Sequence, residues 1–105
     1  MASNVYKCKI WPTGSAGDYH MRTYERQSDG LWIEKFGSDT KGSSLIIEEQ
    51  SGWLYHSFSG VWAGGYPEVI GWSINKKTGE FYSARTALQK SGSFTTTQDG
   101  ICMAF

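Results

Sequence analysis

Residues 71–84, "GWSINKKTGEFYSA", largely decide the predicted fold. Within and just before this stretch, Ile70, Trp72 and Ile74 alternate with small or polar residues, which is typical of a β-strand with one buried face. Asn75 can start a type I turn, and Gly79 can adopt the left-handed conformation that leads into a returning strand. The stretch therefore predicts a β-hairpin formed by residues 71–75 and 80–84.

Glycines and polar turns divide the rest of the chain in the same way. No stretch of the sequence shows the 3.6-residue periodicity of an amphipathic helix, and further turns are predicted at 27–30, 49–52 and 98–100. Strands are predicted at residues 5–11, 18–27, 31–37, 43–49, 53–58, 68–75, 80–86, 93–97 and 101–104. We expect an all-β fold in one domain over residues 1–105, a small antiparallel β-barrel or closed β-sandwich of about eight strands in meander order.

The two cysteines lie in strands at opposite ends of the chain. Alternation in "VYKCKIW" places Cys8 on the same face as Tyr6 and Ile10, which indicates that its side chain points inward. A last strand laid beside the first would set Cys102 against Cys8 and close the sheet without an open edge. The sequence therefore predicts a disulfide, worth about 4–5 kcal/mol in the loop-entropy model; two unrelated buried thiols are the alternative.

Charge and hydropathy exclude two classes of partner. Ten lysines and arginines balance ten aspartates and glutamates, so the chain lacks the cationic field with which proteins collect nucleic acid. The longest apolar run is 101–105, far short of a membrane span. The first residues also lack the features of a signal peptide. We expect a periplasmic or secreted protein if the chain is a mature form, which a disulfide favours, and otherwise a cytoplasmic one.

Catalytic and metal-binding patterns are not found in the sequence. His20 and His56 are far apart and are predicted to face solvent, and no zinc-type ligand spacing occurs, so neither a metal nor another cofactor is expected. No nucleophile elbow or phosphate loop is present either. Only a convergence of Glu25, Glu34 and Glu80 in space would give a small hydrolase. The expected function is therefore not enzymatic.

Aromatic side chains are the best candidates for binding. We expect the strand residues Trp53 and Trp72 in the core, whereas Trp62 and Tyr66 lie in the glycine-rich stretch 59–67, predicted to be the one long irregular loop. These two residues and Tyr55 form the candidate surface for a protein or a glycan. The alternative is an intracellular structural or assembly protein with free thiols, in which exposed rings form a homo-oligomer interface. A monomer and a homodimer are both compatible with the sequence.

A short motif resembles one known family. Ser51, Gly52 and Tyr55 fit the S-G-x-x-Y pattern of bacterial inhibitors of c-type lysozyme, and Trp62 is similar to an aromatic residue that follows in that family, one position early. Residues 63–65 are Ala-Gly-Gly where the family has Lys-Gly, so half of the residues that such an inhibitor inserts into its target are missing. The resemblance covers about 15 residues and implies a periplasmic β-barrel that binds a lysozyme. The cysteines and "INKKTGEF" also resemble small exported bacterial β-proteins, which implies only the compartment.

Overall fold

The computed structural model of the protein describes residues 4–12, 17–38, 41–61 and 65–105. These residues form strands and turns and contain no helix. Nine strands follow one another along the chain: β1 (Val5–Pro12), β2 (His20–Arg26), β3 (Trp32–Phe36), β4 (Ser43–Leu45), β5 (Glu48–Gln50), β6 (Trp53–Val61), β7 (Pro67–Asn75), β8 (Glu80–Gln89) and β9 (Gly92–Ala104).

All nine strands belong to one antiparallel sheet that curls into a half-barrel. The order β4-β3-β2-β1-β9-β8-β7-β6-β5 places β9 in the middle, because the first and last strands pair with each other. Every other pair of neighbours is consecutive in the chain, so the predicted all-β meander is confirmed. The sheet is not closed by the pairing of β1 and β9, however, because β4 and β5 are edge strands, so the prediction of a sheet without an open edge is wrong. The curl brings the ring of Tyr24 in β2 to 4.5 Å from that of Trp72 in β7, measured between centroids.

The predicted strand 43–49 is divided in two, whereas the predicted strands 93–97 and 101–104 are one strand, β9. Ser43–Leu45 pairs with β3, and Glu48–Gln50 pairs with β6 on the other side of the opening. Ile46 and Ile47 join these two edge strands, and 75% of Ile46 is exposed. A two-residue connection thus links the two edges of the half-barrel.

Three of the four predicted turns are present. Gly30 donates its amide hydrogen to the Gln27 carbonyl at 3.0 Å, and Ser51 and Gly52 both have positive φ at the β5–β6 turn. In the turn between β7 and β8, Gly79 has φ of 81°. Its amide donates to the Asn75 carbonyl at 2.7 Å. The hairpin predicted from residues 71–84 is therefore confirmed.

The concave face of the sheet carries the core. Cys8 and Cys102 lie directly opposite each other in the β1–β9 register and form the predicted disulfide; with no free cysteine among the described residues, the alternative with free thiols is wrong for this structure. The other core residues are large and mostly aromatic, and they come from six strands: Tyr6, Ile10, Tyr24, Trp32, Leu54, Trp72, Ile74 and Phe81.

Two predictions about irregular segments are wrong. The "QDG" turn at 98–100 does not exist, because β9 continues through it. A Cβ atom on Gly100 would lie 2.3 Å from the Lys9 carbonyl oxygen, so this glycine allows β1 to approach and does not form a turn. The loop predicted at 59–67 is shorter, since Ser59 and Val61 extend β6 and pair with Val69 and Pro67 of β7.

Trp53 was expected in the core and is not there. Leu54, the next residue, is 1% exposed on the concave face, and neighbouring residues of a strand point to opposite faces. Trp53 therefore lies on the convex face, with 39% of its surface exposed, whereas Trp72 is 5% exposed as predicted.

Candidate functional site

The convex face of β6–β8 carries three aromatic side chains, Trp53, Tyr55 and Tyr82, which we call the convex aromatic patch. Trp53 and Tyr82 are exposed, and Tyr55 is half-buried. Trp53 and Tyr55 are two residues apart on β6 and therefore point the same way. Tyr82 reaches this face from β8, because Phe81 beside it is fully buried on the other. Tyr82 is 49% exposed. The patch thus arises where alternating strands have rings on both of their faces.

Small residues separate the two sides of this patch. Ser73 lies between Tyr55 and Tyr82 in a single row of the sheet, paired with Tyr55 in β6 and with Tyr82 in β8. Two strand spacings place the backbones of the two tyrosines about 9.6 Å apart. Gly71, the next residue of β7 on the convex face, has no side chain, so the surface over β7 is also low at this position. A shallow, open depression lies here, lined by Gln50, Ser51, Trp53, Tyr55 and Ser73.

Hydrogen-bonding groups surround the aromatic side chains. The Tyr55 hydroxyl donates to Glu48 Oε2 at 2.9 Å and lies 3.2 Å from Gln50 Oε1. The bond to Glu48 raises the pKa of Tyr55, and the negative charge of Glu80 raises the pKa of Tyr82. Both phenols therefore keep their protons at neutral pH and stay hydrogen-bond donors.

A charged cluster on the concave face is a second candidate. Arg22 Nη2 donates to Gln98 Oε1 at 3.2 Å, and Arg22 Nη1 lies 3.9 Å from Glu34 Oε2. The guanidinium carbon also lies 5.0 Å from the centre of the Phe36 ring. The side chains of Arg22 and Glu34 are each only 12% exposed. The cluster is therefore closed to a large ligand and mainly compensates its own charges.

Tyr24 lies beside this cluster with its ring fully buried. Burial raises the pKa of Tyr24, and the negative charge of Glu34 raises it further while Arg22 opposes the change. The Tyr24 hydroxyl and Arg22 Nε have no hydrogen-bond partner within the described part of the chain. Tyr24 is thus a buried, protonated phenol that packs in the core.

Both histidines were predicted to face solvent, but both lie on the concave face of the sheet. His56 lies on the concave face opposite Trp72 in the register, and its Nδ1 is 2.8 Å from the Ile46 carbonyl oxygen. Burial, and then the positive charge of Arg22, lower the pKa of His20, which lies on the same face. The His56 ring also lies 5.9 Å from that of Trp72, measured between centroids.

The carboxylates that a hydrolase would need do not converge. Glu34 is on the concave face, whereas Glu25 lies on the convex face and forms an ion pair with Lys35 at 3.0 Å. Glu80 is also convex, but on β8, three strands from Glu25 in the sheet order. Among residues 4–12, 17–38, 41–61 and 65–105, no group of three or more potential metal ligands is close enough to hold an ion.

The predicted site residues do not form one surface. Tyr55 belongs to the convex aromatic patch, Tyr66 is half-buried just before β7, and Trp62 lies outside the described residues. Six strand residues separate Tyr55 from the end of β6, a distance of about 20 Å. Tyr55 and Tyr66 are thus far apart.

Two residues of the patch were missed in the sequence. Trp53 was assigned to the core, and Tyr82 was not considered. The turn at 75–79 could have identified Tyr82, because it sets the register between β7 and β8. In that register Ser73 lies opposite Tyr82.

In the part of the chain that the structure describes, no helix is long and apolar enough to cross a membrane. Comparison of the chain with protein-family models, curated proteins and solved structures finds no match. The resemblance of residues 51–55 to lysozyme inhibitors is therefore a local one, and the function has to be argued from the surface of the molecule itself.

Proposed function

We propose that this protein is a non-enzymatic binding protein that recognises a neutral glycan through the convex aromatic patch. The observation that carries the proposal is the open depression in which Trp53 and Tyr55 lie beside Gln50, Ser51 and Ser73. Exposed Trp and Tyr offer a large rigid contact area at a small cost in conformational entropy. An open depression suits a ligand that binds along a surface.

The chemistry of the depression favours a sugar over an apolar protein surface. A sugar ring has an apolar face of C–H groups, which packs on an aromatic ring, and a rim of hydroxyls, which need donors and acceptors. Gln50, Ser51 and Ser73 provide these groups, and so does Glu48 next to Tyr55. None of the lining residues is a cation, so a neutral glycan fits this site better than a sulfated or uronic one.

The disulfide supports an oxidising compartment for this activity. Disulfides persist in the periplasm and outside the cell, where most free polysaccharides are also found. We therefore propose a periplasmic or secreted protein. In the inhibitor-like alternative the partner is a lysozyme. Residues 59–67, with Trp62 and Tyr66, are the alternative binding surface on this protein.

Affinity electrophoresis in native gels tests the proposal. We expect migration to be slowed in gels that contain at least one of laminarin, xylan and hydroxyethyl cellulose, and we expect Trp53→Ala to remove most of the retardation. Loss of one central aromatic anchor typically weakens binding by 2 kcal/mol or more, roughly thirtyfold. Leu31→Ala is the matched control, since Leu31 is 49% exposed in a turn away from the patch.

Three other outcomes would contradict the glycan proposal or its site. No retardation by any of the three polysaccharides would argue against glycan binding. Equal retardation of Trp53→Ala and the native protein, with loss in Trp62→Ala or Tyr66→Ala, would move the site to the loop. Inhibition of hen egg-white lysozyme would support the inhibitor-like alternative instead.

A further inference from the structure

The crest of the convex face carries an exposed apolar ridge that the glycan proposal does not use. Ile101, Met103 and Phe105 follow one another at every second position on and just after β9, and they are 42%, 66% and 62% exposed. They share the convex face because Cys102 between them is buried. We call these three residues the β9 ridge. A row of exposed large apolar residues of this kind marks an interaction surface.

The ridge lies where two copies of a curved sheet would touch. β9 is the fifth of nine strands in the sheet order, with four strands on either side. Two convex surfaces meet only along their crests, so a contact between two copies would include β9 and its direct neighbours, β1 and β8. Trp53 and Tyr55 of the convex aromatic patch lie on β6, three strands away, and would stay accessible. Tyr82, the third residue of the patch, lies on β8 at the border of this contact.

The charges beside the ridge are arranged to suit a second copy of the same surface. Lys9 and Glu80 flank Ile101 in one row of the sheet, Lys9 on β1 and Glu80 on β8. About 9.6 Å separates their backbones, and Ile101 stands between them. Within the described residues neither side chain takes part in an ion pair, although Lys9 Nζ lies 5.1 Å from the centre of the Tyr19 ring.

A two-fold axis parallel to β9 above Ile101 makes this row self-complementary. It places Lys9 of each copy opposite Glu80 of the other, and it brings the two Ile101 side chains together between two opposite-charge pairs. Met103 would likewise meet its own copy. Asp99 is the one unfavourable position, because the same axis would place its carboxylate opposite the Asp99 carboxylate of the other copy. The contact must therefore lie toward the end of β9 that carries Met103 and Phe105.

We propose that the β9 ridge is the interface of an isologous homodimer in which Lys9 and Glu80 pair between the two copies. A strip three strands wide is at the small end of specific interfaces, so association is expected at protein concentrations on the order of 10⁻⁴ M. This inference does not depend on the glycan proposal, since it rests on the β9 ridge and on a different partner; the two surfaces meet only at Tyr82.

Sedimentation velocity over a concentration series tests the dimer. We expect the native protein to approach the mass of two chains as its concentration rises toward about 1 mM, and to dissociate more readily at 0.5 M salt. Lys9→Glu and Glu80→Lys should each raise the dissociation constant at least tenfold, because each creates two like-charge contacts. Lys90→Glu, at the exposed turn between β8 and β9, is the matched control and should leave association unchanged.

Mixing the two single variants gives the sharpest result. In a mixed dimer every introduced glutamate faces an introduced lysine, and every native Lys9 faces a native Glu80, so association should return to within a few-fold of the native protein. Circular dichroism and thiol counting of each variant verify that the fold and the disulfide are intact. A native protein that stays monomeric at about 1 mM, or a mixture that stays dissociated, would overturn the proposal.

Discussion

Trp53 and Trp72 belong to two paired strands, β6 and β7, but their side chains lie on opposite faces of the sheet. Trp72 is 5% exposed, and its ring lies 4.5 Å from Tyr24 and 5.9 Å from Phe81. Trp53 is 39% exposed on the other face, beside polar side chains. The two residues are equally hydrophobic, so residue type does not decide which one is buried. Their position relative to the alternation of the strand decides it.

Two ion pairs that join β2 and β3, one on each face, differ in the same way. Arg22 and Glu34 on the concave face are 12% exposed, whereas Lys35 and Glu25 on the convex face of the same two strands are 24% and 32% exposed. The concave pair has to replace lost hydration with protein contacts, and the convex pair keeps its water. Between β2 and β3 the concave pair is therefore part of the packed interior, and the convex pair lies at the surface.

The largest expected difference is between the two tryptophans. Trp72→Ala should lower the free energy of unfolding by about 3–5 kcal/mol, because it leaves a cavity between Tyr24 and Phe81. Trp53→Ala should change that free energy by about 0.5 kcal/mol or less. Urea denaturation of the disulfide-bonded variants measures both values. Similar losses in the two variants would mean that Trp53 is part of the core after all.

A smaller difference is expected between the two glutamates. Glu34→Gln leaves Arg22 without its opposite charge in a closed environment and should cost about 1–3 kcal/mol. Glu25→Gln removes an exposed ion pair and should cost about 0.5 kcal/mol or less. The same urea experiments, run at low and high salt, compare them. A cost for Glu25→Gln that equals the cost for Glu34→Gln would contradict the division between the faces.

The third comparison uses alkaline pH. Burial raises the pKa of Tyr24 above its ordinary value of 10.0, so above pH 10 the unfolded chain loses this proton while the folded one keeps it. Stability should therefore fall as pH rises above 10, by up to about 1.4 kcal/mol per pH unit from this group. Tyr24→Phe should remove that part of the slope, and Tyr82→Phe should leave most of it. Thermal midpoints measured between pH 9 and 11 show which tyrosine is responsible.

The sequence predicted those parts of the fold that depend on local patterns. The turn at Asn75–Gly79 determined the β7–β8 register, and alternation around Cys8 identified the concave face of β1 and the disulfide. Trp53 was assigned wrongly because residues 53–58 carry apolar side chains on both faces, so only the packing of Leu54 in the core decides their orientation. Gly100 was interpreted as a turn residue because a close approach between strands leaves no local signal.

The candidate site was less accessible to prediction than the fold. Tyr55 was found because aromatic residues cluster near it, but the pairing of Tyr55 with Ser73 depends on where the β6–β7 hairpin turns. The glycines at 60, 64 and 65 are compatible with several hairpin lengths. To predict a surface formed by three strands, both registers, β6–β7 and β7–β8, have to be known. Only the β7–β8 register is indicated by a distinct turn motif.

The meeting of the first and last strands allows the chain to be circularly permuted. The Phe105 amide donates to the Val5 carbonyl at 2.8 Å, so a short linker could join the end of β9 to the start of β1, and new ends could be opened at the exposed Lys77 and Thr78. In such a permutant roughly a dozen residues would separate Cys102 from Cys8, and the loop-entropy contribution of the disulfide would fall from about 4.7 to about 3 kcal/mol. The same sulfur–sulfur bond would thus be worth less to the fold simply because the polypeptide runs through it in a different order.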